Sequence, residues 1–292
     1  MGTIDFKNGE ELLLLCKEQD WPISEGMRQR EVQMTETAAS LLDERMAKAL
    51  RIMKAAATTP IQDPKPSMSG LIGGEAQKLS RHLKGGRSIC GPILSRAVTY
   101  AMAVLEVNSS MGLIVAAPTA GSSGVVPGVL LSLQEAHDLT DGSVVKALYN
   151  AGAIGYLAMR NATVAGAVGG CQAEVGVASS MAASAAVELM GGTPEQCLYA
   201  ASTALMNLLG LVCDPVGGLV EYPCQNRNAI GAANALTCAE LALSGIRQMI
   251  PFDEMLDTMY RVGRQISPAL RETAMGGCAV TPSAKACTGC HG

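Results

Sequence analysis

The chain has 292 residues, enough for one large domain or for a domain with a smaller extension. Its 22 basic and 26 acidic residues give a formal net charge of −4, which is not the composition of a nucleic-acid-binding protein. The ten cysteines, in a sequence without a basic-then-apolar leader at its start, predict reduced thiols in a cytoplasmic protein and not a disulfide framework.

Two uncharged stretches, 107–134 and 196–213, approach the length of a membrane span. Pro118 and Pro127 interrupt the first stretch, and the second runs directly into Asp214. The first stretch therefore cannot form one continuous span, the second is better interpreted as a buried core helix, and we expect no association with a membrane.

Apolar residues recur mostly at helical spacing and β-branched alternation is scarce, so the sequence predicts an all-α fold. In chain order we expect a helix over 8–18, a long helix from Ser24 to just before Pro60, a linker over 58–73 and a short helix over 74–83. Further helices are predicted over 92–107, 126–137, 142–159, 174–190, 194–212, 226–244 and 252–265. We divide the chain into an N-terminal helical extension with its linker, 1–73, and a compact helical domain with a flexible C-terminal tail, 74–292.

Three cysteines stand in glycine- or proline-rich segments between the predicted helices. They are Cys171 in Gly-Gly-Cys-Gln-Ala-Glu-Val-Gly, Cys213 in Leu-Val-Cys-Asp-Pro-Val-Gly-Gly, and Cys224 in Glu-Tyr-Pro-Cys-Gln-Asn-Arg-Asn. Permissive loops on a rigid scaffold are where sites are commonly built. From the residues alone, the three cysteines fit a metal site, zinc included, or plain core thiols.

These segments resemble those of the α subunit of iron–sulfur-dependent L-serine dehydratase. The loops 106–112 (Glu-Val-Asn-Ser-Ser-Met-Gly) and 117–128 (Ala-Pro-Thr-Ala-Gly-Ser-Ser-Gly-Val-Val-Pro-Gly) share the resemblance, as do the cysteine intervals of 42 and 11 residues. The resemblance runs over essentially the whole chain. It implies that Cys171, Cys213 and Cys224 ligate a [4Fe–4S] cluster whose fourth iron stays open to substrate.

The resemblance also implies the reaction, in which L-serine is converted to pyruvate and ammonia without pyridoxal phosphate. The open iron acts as a Lewis acid on the β-hydroxyl of serine, the role that catalytic zinc plays with its open position. Polar residues in the same loops are candidates for binding the substrate, while helix capping and turn formation are the alternative for each of them. These candidates are Asn108, Ser109, Ser110, Thr119, Ser122, Ser123, Asn161, Arg227 and Asn228.

Arg227 has two open interpretations, because a guanidinium beside a cluster ligand pairs either with the carboxylate of the substrate or with the anionic cluster. Asn161 is expected to donate to a cluster sulfur or to the substrate, with a helix C-cap as the alternative.

The general base is not identified among the residues of this chain. The family carries a Ser-Ser-His-Thr segment in its other domain, and no such segment occurs here. The only histidines are His82, His137 and His291, and the first two lie on predicted amphipathic helices. The chain therefore resembles the two-chain form of the enzyme, and we expect a separate β subunit to provide the missing wall of the site and the base.

The C-terminal end contains Cys287-Thr-Gly-Cys290-His291, which formally matches the attachment pattern of c-type haem. Some members of the family end in a cysteine that occupies the open iron. We therefore expect Cys290 or Cys287 to be the fourth ligand of the resting cluster, with a flexible tail of reactive thiols as the alternative.

Other functions remain open at this point. An open iron also accepts a thiolate leaving group, so L-cysteine desulfidase or a threonine-directed lyase is the nearest alternative. A redox-sensing or electron-carrying iron–sulfur protein and a zinc-stabilised structural subunit come from other classes.

Overall fold

A computed structural model of the chain describes residues 4–287 and confirms the all-α prediction. Within that range the only β-type pairing is an isolated bridge between Cys213 and Arg271. The helices are α1 (Gly9–Gln19), α2 (Ile23–Thr35), α3 (Ala39–Gln62), α4 (Glu75–Lys84), α5 (Gly91–Ser109), α6 (Val125–Ala136), α7 (Asp141–Asn161), α8 (Gly166–Gly169), α9 (Val177–Leu189), α10 (Pro194–Asn207), α11 (Cys224–Leu243), α12 (Phe252–Gln265) and α13 (Pro282–Lys285). Short 3₁₀ and π turns lie between them, the most important being a π turn over Gln172–Gly176.

The centre of the body is α9, which packs against α6, α7, α10 and α11. Every residue from Val177 to Val187 is buried, and most of them are alanine or serine. Small side chains let the surrounding helices approach closely, and the buried hydroxyls still find acceptors. Ser180 donates to the Ala201 carbonyl at 2.9 Å, and Ser184 donates to Asn150 at 2.6 Å.

The long helix predicted from Ser24 to Pro60 is wrong, because α2 and α3 are separate helices. Glu36 takes a left-handed conformation with φ 51°, and the chain turns back so that Arg28 meets Asp43. Both guanidinium–carboxylate hydrogen bonds are short, at 2.8 and 2.7 Å, and this bidentate pair lies across the turn. The end of α3 also differs from the prediction, since Pro60 lies inside it.

The N-terminal helices share the core of the rest of the chain. Phe6 and Leu12 are fully buried, in the same apolar cluster as Ile154 and Met259. The buried Arg30 stacks on the ring of Tyr156, with its Cζ 3.9 Å from the ring centroid. The division of the chain near residue 73 stays a prediction. Among residues 4–287, no helix combines the length and the apolarity needed to cross a membrane.

Glycine sets the distance between α5 and α6. A Cβ added to Gly128 would lie 2.7 Å from the Ala97 carbonyl oxygen, whereas one added to Gly152 of α7 would meet nothing within 4 Å. We expect Gly128→Ala to force α5 and α6 apart and to lower the free energy of unfolding by about 1–3 kcal/mol. Gly152→Ala, the matched control, is expected to be neutral or stabilising by up to about 1 kcal/mol, because alanine is the better helix former. Urea unfolding of both variants measures the difference, and equal effects would contradict this account of the packing.

Candidate active site

Three cysteines from separate segments are buried against one another. Cys171, Cys213 and Cys224 are 3, 4 and 8 % exposed. Burial raises the pKa values of Cys213 and Cys224, and the neighbouring thiols add to this, since Cys171 and Cys224 act on Cys213 and Cys171 acts on Cys224. The cysteines singled out in the sequence are therefore neighbours in space.

Cys171 is positioned by the residues on either side of it. Gly170 has φ 75°, and a Cβ there would lie 2.8 Å from the Leu211 carbonyl oxygen, so this tight approach requires glycine. The backbone N–H of Gln172 donates to that carbonyl at 3.0 Å, and its side chain accepts from the Gly210 N–H and donates to the Met259 carbonyl, each at 2.8 Å. Gln172 thereby ties the Cys171 segment both to the segment leading to Cys213 and to α12.

Cys213 lies in the isolated bridge with the C-terminal segment. Its N–H donates to the Leu270 carbonyl at 2.9 Å, and its carbonyl accepts from the Glu272 N–H at 2.7 Å. One residue further on, the buried Asp214 accepts from the Cys278 N–H at 2.6 Å. The segment that follows α12 is therefore fixed against the cysteine cluster.

Cys224 is the first residue of α11, and Asn228 lies one turn later on the same helix. The fully buried Asn228 side chain accepts from the Gly124 N–H at 3.0 Å and donates to the carbonyls of Gly121 and Cys224, at 2.7 and 2.9 Å. The Asn228 amide is thus engaged by three backbone groups, and it holds the loop before α6 against the start of α11.

Arg227 points to the thiol side of the site. Its guanidinium donates a hydrogen bond to the Cys171 sulfur and another to the Val212 carbonyl at 2.8 Å, and it lies 2.7 Å from Asp214. The Asp214 Oδ1 is within ion-pair distance but poorly aligned for a hydrogen bond, so that contact is chiefly electrostatic. Burial opposes the charge of Arg227, but Cys171 and Asp214 outweigh it and its pKa is raised. This geometry favours the interpretation in which Arg227 neutralises the metal site.

The donors around the thiols fit an anionic iron–sulfur group. Burial raises the pKa values of Cys171 and Cys224 to about 12, so the thiols of the metal-free chain are neutral. Arg227 and the Val175 N–H both contact the Cys171 sulfur and stabilise its thiolate form. Iron binding replaces the protons of such thiols, and the same donors then serve the bound sulfurs. In the described part of the chain, no three His, Cys, Asp or Glu side chains are placed to hold a single metal ion.

The serine- and threonine-containing loop before α6 forms one wall of the site. Thr119 and Ser122 make a capping box, and the Thr119 hydroxyl also donates to Glu174 at 2.7 Å. Ser122 and Ser123 are fully buried, and Ser123 donates back to the Ala120 carbonyl at 2.7 Å. Thr119 is thus the residue of this loop that reaches towards the cysteines through a neighbouring carboxylate.

The other candidate polar residues lie at helix ends. Asn108, Ser109 and Ser110 form the end of α5, where the two serine hydroxyls donate to backbone carbonyls of the preceding turn, each at 3.2 Å. Asn161, at the end of α7, donates to the Lys7 carbonyl at 2.7 Å. Their described contacts are with the protein backbone, and their binding of substrate stays a prediction.

The α5 end is nevertheless joined to the cysteine segments. Glu106 is buried in α5 and accepts from the N–H groups of Gly74 and Ala76, at 3.1 and 2.9 Å. The side chain of Gln225, next to Cys224, donates to the same carboxylate at 3.2 Å. Burial raises the pKa of Glu106.

The histidines and the terminal cysteines take different positions. His82 and His137 are both exposed, one on α4 and one just after α6, whereas His291 and Cys290 lie outside the described residues. Cys287 is described, and it packs with Val216 and Ala284 in a small apolar cluster. It is disulfide-bonded, so the prediction of reduced thiols throughout the chain does not hold at this position. The end of the described chain therefore lies close to the segment that carries Cys213.

Glu174 is the residue that sequence reasoning missed. It stands on the π turn directly after Cys171 and lies near all three cysteines, raising the pKa of each. Its own pKa is raised by burial. A signal was present in the sequence, because Glu174 is the only charged residue between Arg160 and Glu188.

Fold and site together define a helical protein in which three buried thiols and one carboxylate lie close together. The family model of the serine dehydratase alpha chain matches residues 18–279. The chain is 47 % identical to the probable L-serine dehydratase alpha chain of Bacillus subtilis over 280 residues, covering 96 % of this chain and 93 % of the relative. It is 41 % identical to the L-serine dehydratase alpha chain of Peptoniphilus asaccharolyticus, covering 94 % of each. The chain belongs to the serine dehydratase alpha chain family.

One relative is considerably longer than this chain. The L-serine dehydratase of Helicobacter pylori is 36 % identical over 286 residues, which cover 95 % of this chain but only 62 % of the relative. This relative therefore has more than a third of its length outside the region that matches this chain.

We expect Cys171→Ser, Cys213→Ser and Cys224→Ser each to abolish cluster assembly, because each removes one of the three neighbouring thiols. Cys16→Ser, Cys90→Ser and Cys238→Ser are the controls and should assemble normally, since the first and third lie elsewhere in the core and Cys90 is exposed. Iron and sulfide analysis after anaerobic reconstitution, with visible absorbance, measures the outcome. A full complement of iron in one of the first three variants would remove that residue from the ligand set.

Proposed function

We propose that this chain is the metal-binding α subunit of an iron–sulfur L-serine dehydratase, a lyase that converts L-serine to pyruvate and ammonia. The observation that carries the proposal is the convergence of Cys171, Cys213 and Cys224 next to Arg227, in a chain 41–47 % identical to alpha chains of that name. These three residues hold a [4Fe–4S] cluster. The cytoplasm, where thiols stay reduced, is the compartment that suits such a site.

The cluster, when bound through three thiolates, supplies a Lewis acid that activates the β-hydroxyl of serine as a leaving group. Loss of the Cα proton and of that hydroxyl, as water, gives aminoacrylate, which tautomerises and hydrolyses to pyruvate and ammonia. The residues of this chain bind and orient. Arg227 stabilises the Cys171 thiolate, and Asn228 and Gln172 fix the segments that carry the cysteines.

A β subunit completes the site in this proposal and provides the general base. The support is that the Helicobacter relative is much longer than this chain and that other relatives are named as alpha chains. The described histidines add to the argument, since His82 and His137 are exposed and take no part in the cysteine cluster. The fourth position of the cluster is reserved for L-serine.

The C-terminal tail has a regulatory role in the proposal, with Cys290, or Cys287 after reduction of the disulfide that this residue forms, covering the open iron at rest. The segment leading to the tail is held beside Cys213 by the Arg271 bridge and by the bond from Cys278 to Asp214. A tethered thiolate has a high effective concentration and competes with a weakly bound amino acid.

Complementation tests the function. The cluster-loaded α chain alone is expected to release little or no pyruvate from L-serine, and adding the β partner should restore turnover, because the base is then present. L-threonine and L-cysteine are assayed beside L-serine by their keto-acid products and by sulfide. Full turnover by the isolated chain would contradict the division of the site, and preference for cysteine or threonine would change the substrate.

Deletion of residues 286–292 tests the tail. We expect the truncated enzyme, with its β partner, to reach half-maximal rate at a lower serine concentration, since the competing ligand is gone. The cluster should also bleach faster in air, because the iron is uncovered. Unchanged serine dependence and unchanged cluster lifetime, with normal iron content, would show that the tail is passive.

A further inference from the structure

Glu174 places a carboxylate among the three thiols. It lies on the π turn that follows Cys171, and its side chain is largely buried. One carboxylate oxygen accepts from the Thr119 hydroxyl at 2.7 Å, and the other lies 3.8 Å from the Cys213 sulfur. The carboxylate therefore borders the position where a ligand of the metal site would bind.

The surroundings of this carboxylate are shaped by two glycines. A Cβ on Gly166 would lie 2.6 Å from one carboxylate oxygen of Glu174, and a Cβ on Gly121 would lie 3.3 Å from the other. The backbone at these two positions therefore packs directly against the carboxylate, and a side chain at Gly166 would displace it.

The charge of Glu174 has no counterion among residues 4–287. Its polar partners in the described part of the chain are Thr119 and Cys213, and the nearby charged side chain that acts on it is the acidic Glu272. The guanidinium of Arg227 is directed to Cys171 and Asp214. A buried carboxylate surrounded by acidic groups is unfavourable unless a cation joins it. The substrate of the proposed function carries one cationic group, its α-ammonium.

We propose that Glu174 binds the α-ammonium group of L-serine, with Thr119 holding the carboxylate in orientation. This inference rests on the proposed function and adds a specificity determinant to it. An amino acid is accepted because its ammonium neutralises Glu174, whereas the corresponding hydroxy acid leaves the carboxylate unpaired. Ammonium recognition therefore comes from this chain and not from the β partner.

The decisive variant is Glu174→Gln in the cluster-loaded α chain with its β partner. Glutamine keeps the size of the side chain and an oxygen that accepts from Thr119, but it removes the negative charge. Two ligands are compared, L-serine and 3-hydroxypropanoate, which is serine without the amino group. The change in cluster absorbance on ligand addition gives Kd for each ligand, and iron analysis reports whether the cluster is intact.

We expect Kd for L-serine to rise about 10- to 100-fold in Glu174→Gln, the loss typical of one charge-assisted hydrogen bond. Kd for 3-hydroxypropanoate should stay the same or fall, since the variant no longer leaves an unpaired negative charge beside this ligand, and the iron content should stay within about twofold of the wild-type value. Glu272→Gln is the matched control. It removes the same charge from an exposed side chain within electrostatic range of Glu174, and both Kd values should be unchanged.

Three results would overturn the inference. Loss of iron in Glu174→Gln would make the carboxylate part of the metal site, and equal weakening of both ligands would make it a general support of the pocket. An unchanged Kd for L-serine with a lower kcat would make it a proton-transfer group. If the wild-type enzyme, with an intact cluster, binds neither ligand, the proposed function itself is wrong and this inference falls with it.

Discussion

The concentration of acidic groups around Cys171, Cys213 and Cys224 is the constraint on which the rest of this structure depends. Three thiols and Glu174 occupy one buried region, and Arg227 is the cation that contacts it among the described residues. In the metal-free chain the thiols avoid this conflict, because burial raises the pKa of Cys171 to about 12 and keeps the thiol neutral, and burial also raises the pKa of Glu174. Binding iron reverses this, since each thiol must lose its proton, and the cations then come from the metal and from the ligand.

Such a site needs firm positioning, and buried amide side chains provide much of it. Gln172, Gln225 and Asn228 are each within four residues of a cluster cysteine, and each bonds to segments that are distant in sequence. A buried hydrogen bond contributes on the order of 1 kcal/mol, but an unpaired partner costs about 1–3 kcal/mol. These amides therefore act mainly by excluding other arrangements of the loops, so that a cluster or substrate meets a preformed pocket.

The sequence could predict the helices and the cysteines because both depend on local patterns. Thr193 and Gln196 form the capping box that their spacing indicates, with hydrogen bonds of 3.3 and 2.9 Å. The turn at Glu36 could not be predicted in this way, because no proline or glycine stands between α2 and α3 and the reversal is accompanied by a distant ion pair from Arg28 to Asp43. The sequence likewise suggests that Asn228 is a polar residue available to bind substrate. In the structure it hydrogen-bonds to Gly124 and Gly121, which lie more than a hundred residues earlier in the chain.

The resemblance identified which cysteines converge, but it could not give Glu174 a role. The role of a buried carboxylate depends on which cations surround it, and those are known only from the structure. Arg227 follows Cys224 in sequence, and a reading of the chain leaves it free to bind the substrate carboxylate. In the structure Arg227 is directed to Cys171 and Asp214, so its positive charge lies next to a cysteine. In our proposal the negative charge of Glu174 is then available to bind the substrate. The two residues thus divide the pocket by charge. In the proposed function, that division would orient an amino acid with its ammonium towards Glu174 and its hydroxyl and carboxylate towards the three cysteines.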